Sequence, residues 1–155
     1  MGKAGSTIIA GIAGGVAWIV GMVVFFGPAQ AILADPALQS EKFYGVMADP
    51  VHPPRMVEDF WIVPAGLMVL GFIYAIVFKI IEKGLPGRTP TARGMAFGVA
   101  AWALAFTWFE FYLPWNVMRE PAALVALELV CWLGVMLAVG LSIAWADHLT
   151  RPRKA

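Results

Sequence analysis

The chain has 155 residues, 61% of them hydrophobic and 14% charged, with a mean hydropathy of +0.78. Soluble domains carry roughly 25% charged residues, so water is not its solvent and an all-α integral membrane protein is expected. A net charge of +1 leaves no basic excess for nucleic acid, and the one cysteine, Cys131, excludes an internal disulfide, CxxC redox chemistry and a thiolate metal site.

A helix needs roughly 20 apolar residues to cross the hydrocarbon core. Four stretches qualify, at about 7–27, 60–81, 94–114 and 122–146, which predicts a four-transmembrane-helix bundle built from two hairpins. The first runs apolar from Ile8 to Phe26, longer than the core of a signal peptide, and is read as a retained span. It contains Gly11-Ile-Ala-Gly-Gly15-Val-Ala-Trp18. The loop after it, about 28–59, is the one segment large enough for structure outside the membrane. Asp35-Pro36 reads as an N-cap and first helical position, opening a short helix through Met47. Phe43, Val46 and Met47 share one face of it, which suits a helix lying at the membrane interface.

Glu58 and Asp59 precede the second span, where acidic groups complement the positive pole of a helix. Pro64 predicts a kink or a tight first turn soon after. The third span opens with Gly94-Met-Ala-Phe-Gly98-Val-Ala-Ala-Trp102, close to the pattern of the first span, and ends at Pro114. The shared GxxxG places Gly11, Gly15, Gly94 and Gly98 on helix contacts. It also admits a parallel pseudo-repeat of the two hairpins. Pro121 opens the fourth span.

Orientation follows from Lys and Arg near the span ends. Lys3, Lys79, Lys83, Arg88, Arg93, Arg151, Arg153 and Lys154 flank one side, against Lys42, Arg55 and Arg119 on the other. The N- and C-termini are therefore expected in the cytoplasm. The long loop then faces outward, into the periplasm if the membrane is a bacterial plasma membrane. Trp61, Tyr112 and Trp115 mark the outer interface and Trp145 the inner one.

Ionisable residues inside a span are costly and raise a functional hypothesis. Glu110 and Glu128 qualify, four residues before Pro114 and seven after Pro121, so on a tight hairpin their depths differ by about one helical turn. Thr107, Tyr112, Trp115, Asn116 and Arg119 surround them in sequence and complete a candidate ion, proton or partner site. Paired carboxylates there would share a proton or hold a cation. In the structural alternative each glutamate pairs with Arg119, Arg55, an indole N–H or a tyrosine hydroxyl and fixes the hairpin.

His52 belongs to the outer loop and His148 to the opposite end, so they cannot clasp one haem between them, and a single pigment or haem ligand from either is not expected. HExxH, GxSxG, P-loop and Rossmann patterns are absent. The leading expectation is a non-catalytic subunit or assembly partner of a larger membrane complex, in contact with lipid and with other membrane subunits. The alternative is a small proton- or cation-coupled transporter or channel, homodimeric, using Glu110 and Glu128. An enzyme acting on lipid or quinone at the outer aromatic cluster would need a nucleophile or metal site that the sequence does not offer.

Overall fold

In a computed structural model, residues 3–151 are described. Arg153 and Lys154 lie outside them, as does the side chain of Lys3. The described residues are helical with no strand, and four helices are long and apolar enough to cross a membrane: Ala4–Leu33, Ile62–Ile81, Pro90–Val117 and Ala122–Thr150. They are called the four spans below.

Three of the spans run past the limits suggested by hydropathy. The first continues through Gly27-Pro28 to Leu33, because the wide turn of a π-helix at Met22–Phe26 precedes Pro28. Proline cannot donate, and its ring crowds the carbonyl four residues back, so a widened turn accommodates it. The third span starts at Pro90, where the Thr89 side chain accepts the Ala92 N–H at 3.1 Å. It passes through Pro114 inside another π-helical segment, Phe111–Val117, and holds a third at Trp102–Phe106. The fourth span extends to Thr150. In the second, Pro64 falls in the first turn, where its missing N–H has no acceptor to lose, and the helix continues to Ile81.

The short helix of the long loop is Glu41–Met47, not one opened by Asp35-Pro36. Asp35 instead turns the chain: its side chain accepts the Ala37 N–H at 2.9 Å, and its carbonyl accepts from Leu38 and Gln39. Ser40 is the N-cap, taking the Phe43 N–H at 3.1 Å. Phe43 is half-buried, while Val46 and Met47 are exposed.

The first span packs against the second and the fourth, and the third against the fourth, while the backbones of the second and third stay apart. Glycine sets the close approaches. A Cβ on Gly71 would lie 2.7 Å from the Gly11 carbonyl oxygen and one on Gly15 would meet Met68, so the first GxxxG pair seats Gly71 of the second span. In the other hairpin, a Cβ on Gly94 would lie 2.8 Å from the Gly140 carbonyl oxygen and one on Gly98 2.5 Å from that of Met136. Each hairpin therefore joins a GxxxG on its first helix to one of the glycines on its second, Gly71 or Gly140, which lets the helix backbones touch.

Aromatic rings fill the middle. Trp132 stacks on Phe106 with centroids 4.2 Å apart, Phe106 lies 6.4 Å from Trp18, and Trp18 meets Tyr74 edge-on at 5.0 Å. Phe97 then bridges Tyr74 and Phe78 across the seam between the second and third spans, at 6.0 and 5.3 Å. This column runs between two polar clusters, one near each end of the bundle.

Candidate functional site

Glu110 is 1% exposed, although it belongs to a helix whose neighbouring residues mostly face outward. It sits on a single α-helical turn, Thr107–Glu110, between two π-helical segments. Each wide turn adds a residue and rotates the helix beyond it, so ordinary 3.6-residue spacing does not tell which neighbours share its face. Its Oε1 accepts the indole N–H of Trp132 at 2.8 Å. Its Oε2 is buried and finds no hydrogen-bond donor. The Glu128 side chain from the fourth span meets the Glu110 side chain, carboxyl against carboxyl. Trp132 is one turn beyond Glu128, so one stretch of helix supplies both the second carboxyl and the indole.

Two carboxyl groups facing each other have only acceptor oxygens unless one carries a proton. A shared proton turns mutual repulsion into a hydrogen bond, and a cation between them serves the same end. No group of three or more His, Cys, Asp or Glu is arranged to hold a metal ion among the described residues. The pair is thus a two-oxygen-donor site in apolar surroundings, with an indole holding one member in place.

The other candidate residues lie elsewhere. Thr107 bonds its own helix, its hydroxyl donating to the Ala103 carbonyl, and lines an apolar groove beside Phe111 and Trp115. Tyr112 is exposed and stacks on Trp108 at 5.3 Å. Trp115 is exposed beside Phe111, and Asn116 is exposed. Arg119 is exposed in the turn to the fourth span with a left-handed φ of 61°. Neither Arg119 nor Arg55 forms an ion pair with either glutamate among the described residues. Of the structural partners expected for the glutamates, the indole N–H is the one present.

A third carboxylate belongs to this end. Glu120 is 5% exposed, and its Oε1 accepts both the backbone N–H and the hydroxyl of Ser40 at 3.1 Å. The Ser40 hydroxyl also reaches the Met118 carbonyl at 2.7 Å, and Lys42 donates to the Val117 carbonyl at 3.0 Å. The long loop is therefore fastened to the turn between the third and fourth spans. The sequence shows Glu120 as an ordinary loop acid beside a proline, with no sign of the serine 80 residues away.

At the far end, Asp147 is 1% exposed and binds three helices together. It accepts from Ser6 at 2.6 Å and from Arg151 Nε at 2.6 Å, and pairs with Lys79, whose ammonium also donates to Ser6 at 2.9 Å. Arg151 pairs in turn with Glu82. His148 is exposed beside Trp145, with ring centroids 6.0 Å apart, and His52 is exposed near Asp49.

Comparison with known proteins adds little. No family model matches the chain and no solved structure matches it. A segment covering 54% of it is 27% identical to taste receptor type 1 member 3 of Canis lupus familiaris. The chain spans only 12% of that receptor's length, so the match shows no family.

Proposed function

We propose that this chain is a multi-pass protein of a plasma membrane whose carboxyl pair, Glu110 with Glu128, binds and releases a proton in coupled transport, with the chain working as a homodimer. The observation that supports this reading is the meeting of two carboxyl groups between two spans, one of them fully buried with an oxygen that has no donor. Intramembrane carboxyl groups on facing helices are a common means of moving protons across a bilayer. A proton is favoured over a divalent ion because no third His, Cys, Asp or Glu among the described residues joins the pair. By the positive-inside argument the termini lie in the cytoplasm and the pair lies in the outer half of the membrane. The two hairpins are read as a parallel pseudo-repeat, on the strength of their matching glycine seams.

The test is proton flux into pyranine-loaded liposomes. Glu110→Gln or Glu128→Gln is expected to abolish flux while leaving the helical circular dichroism unchanged, and normal flux in both variants would refute the reading.

A second reading, a non-catalytic subunit or assembly partner of a larger membrane complex, is favoured by one surface. An open apolar furrow of about 600 Å³ runs between the first and fourth spans, where Ala13, Ala17, Gly21 and Ala138 lie among larger residues such as Val20 and Phe25. Small residues of this kind line helix contacts in membranes. Co-purification of partner subunits at fixed stoichiometry in mild detergent is expected on this reading, and a stable lone monomer would refute it.

A further inference from the structure

The second and third spans leave an apolar cleft of about 340 Å³ between them, walled by Ile73, Tyr74, Val77 and Ile81 on one side and by the stretch from Phe97 to Ala105 on the other. It opens to the outside, since Val77 and Leu104 on its two walls are exposed. The walls advance from residue 73 to 81 and from 97 to 105, about 12 Å of helix each. Half of the hydrocarbon core measures roughly 15 Å. The cleft is therefore about as long as one leaflet is deep, which suits an acyl chain and is too short to seat a spanning helix.

The turn that joins these two spans closes one end of the cleft and carries cations. The Gly84 N–H donates to the carbonyl of Ile81, a cleft residue, at 2.9 Å, which keeps Lys83 at the end of that wall. On the other wall Arg93 lies one turn before Phe97, and its Nε donates to the Gly87 carbonyl at 3.2 Å. Gly87 has a left-handed φ of 96°, and a Cβ on it would press on Ala92, so the chain brings Arg88 beside the first turn of the third span. Trp145 fixes the depth. It is exposed and donates its indole N–H to the Thr91 hydroxyl at 3.2 Å, and tryptophan favours the level of the headgroups.

Lys83, Arg88 and Arg93 form no ion pair among the described residues, whereas Lys79 is paired with Asp147, and Arg151 with Asp147 and Glu82. Glu82, the acid beside Lys83, is thus already matched. The first turn of the third span holds no acid either, so its positive pole adds to the three cations. From this joining of an apolar, leaflet-deep cleft to unmatched cations at its mouth, we propose that the cleft binds one anionic phospholipid. An acyl chain lies along the cleft, and Lys83, Arg88 and Arg93 hold the phosphate. By the positive-inside argument the lipid comes from the cytoplasmic leaflet, where basic pockets between spans recognise anionic headgroups. The proposal needs only the membrane setting of the spans and is independent of the proton reading.

Native mass spectrometry of the purified chain in mild detergent, titrated with phosphatidylglycerol or phosphatidylcholine, tests it. One phosphatidylglycerol is expected to bind about tenfold or more tightly than phosphatidylcholine, as attraction of several cations implies. Lys83→Gln combined with Arg88→Gln, both at exposed positions, is expected to remove that preference. Val77→Trp fills the cleft from an exposed position and keeps the cations, and is expected to weaken binding of phosphatidylglycerol by about tenfold through lost apolar burial. Equal affinity for the two lipids in the unsubstituted chain overturns the proposal without recourse to any variant. A preference that survives the double substitution overturns the phosphate assignment. Full binding in Val77→Trp overturns the cleft, leaving a basic surface patch. Displacement of phosphatidylglycerol by millimolar glycerol phosphate shows that the cations serve a soluble phosphate, and overturns the lipid.

Discussion

Replacing Asp147 with asparagine removes one of two carboxylates that balance two cations. Asp147 and Glu82 face Lys79 and Arg151, and Ser6 ties the first span into the same group. Without the Asp147 charge, Arg151 keeps Glu82 and Lys79 is left with a serine. Removing one partner of a buried pair costs about 3–5 kcal/mol. The Lys79 side chain retains 23% of its surface, so water recovers part of that and the lower end, about 3 kcal/mol, is expected. For a chain of this size, that lowers the melting temperature in detergent by about 10 °C. Adding Lys79→Met restores the balance, since Arg151 and Glu82 remain matched, so the double variant is expected to be more stable than Asp147→Asn alone. Thermal unfolding followed by circular dichroism in one detergent measures both. A double variant as unstable as the sum of the two single ones would show that the cluster is not held by charge balance.

Other substitutions test the packing. Gly71→Ala is expected to destabilise strongly, because its methyl would press on the Gly11 and Gly15 backbone, whereas Gly66→Ala meets nothing within 4 Å and is expected to be neutral or to stabilise by about 0.5–1 kcal/mol. The same unfolding assay compares them. Trp132→Phe keeps a ring on Phe106 but takes the donor from Glu110, leaving a buried acceptor short, with an expected loss of about 1–3 kcal/mol. Ser40→Ala removes a helix cap as well as the bonds to Glu120 and Met118, and should cost about 1–2 kcal/mol while speeding proteolysis of the loop.

The four spans are legible in the sequence because the bilayer imposes a length and a polarity that a hydropathy reading recovers directly. Their ends are less so: the first span reads as ending near residue 27 and the third at Pro114, yet a π-turn before Pro28 and another around Pro114 carry the helices on. The same turns explain the mixed outcome at the site. The similar depths of Glu110 and Glu128 follow from their distances to Pro114 and Pro121, and the structure brings these two together. Tyr112, Trp115, Asn116 and Arg119 are neighbours of Glu110 in the chain but lie beyond a π-helical shift in register, and Thr107, on the same turn as Glu110, donates its hydroxyl to the Ala103 carbonyl. Asp147 escapes a reading that ends the fourth span at residue 146, because an acid one residue past an apolar stretch looks like an interfacial charge. Gly71 and Gly140 escape because the glycines they answer lie on other helices.

The four seams of the bundle are unequal, and this decides where it can yield. Three are closed by direct helix packing, tightest where glycine brings backbone against backbone within each hairpin, and parting them would strip contact along whole helices. The fourth, between the second and third spans, is held by Phe97 leaning on Tyr74 and Phe78, beside an apolar cleft of about 340 Å³. Ring contacts of that kind are worth roughly a kcal/mol each. The molecule is built like a book, with its spine along the first and fourth spans and a light aromatic clasp on the opposite edge.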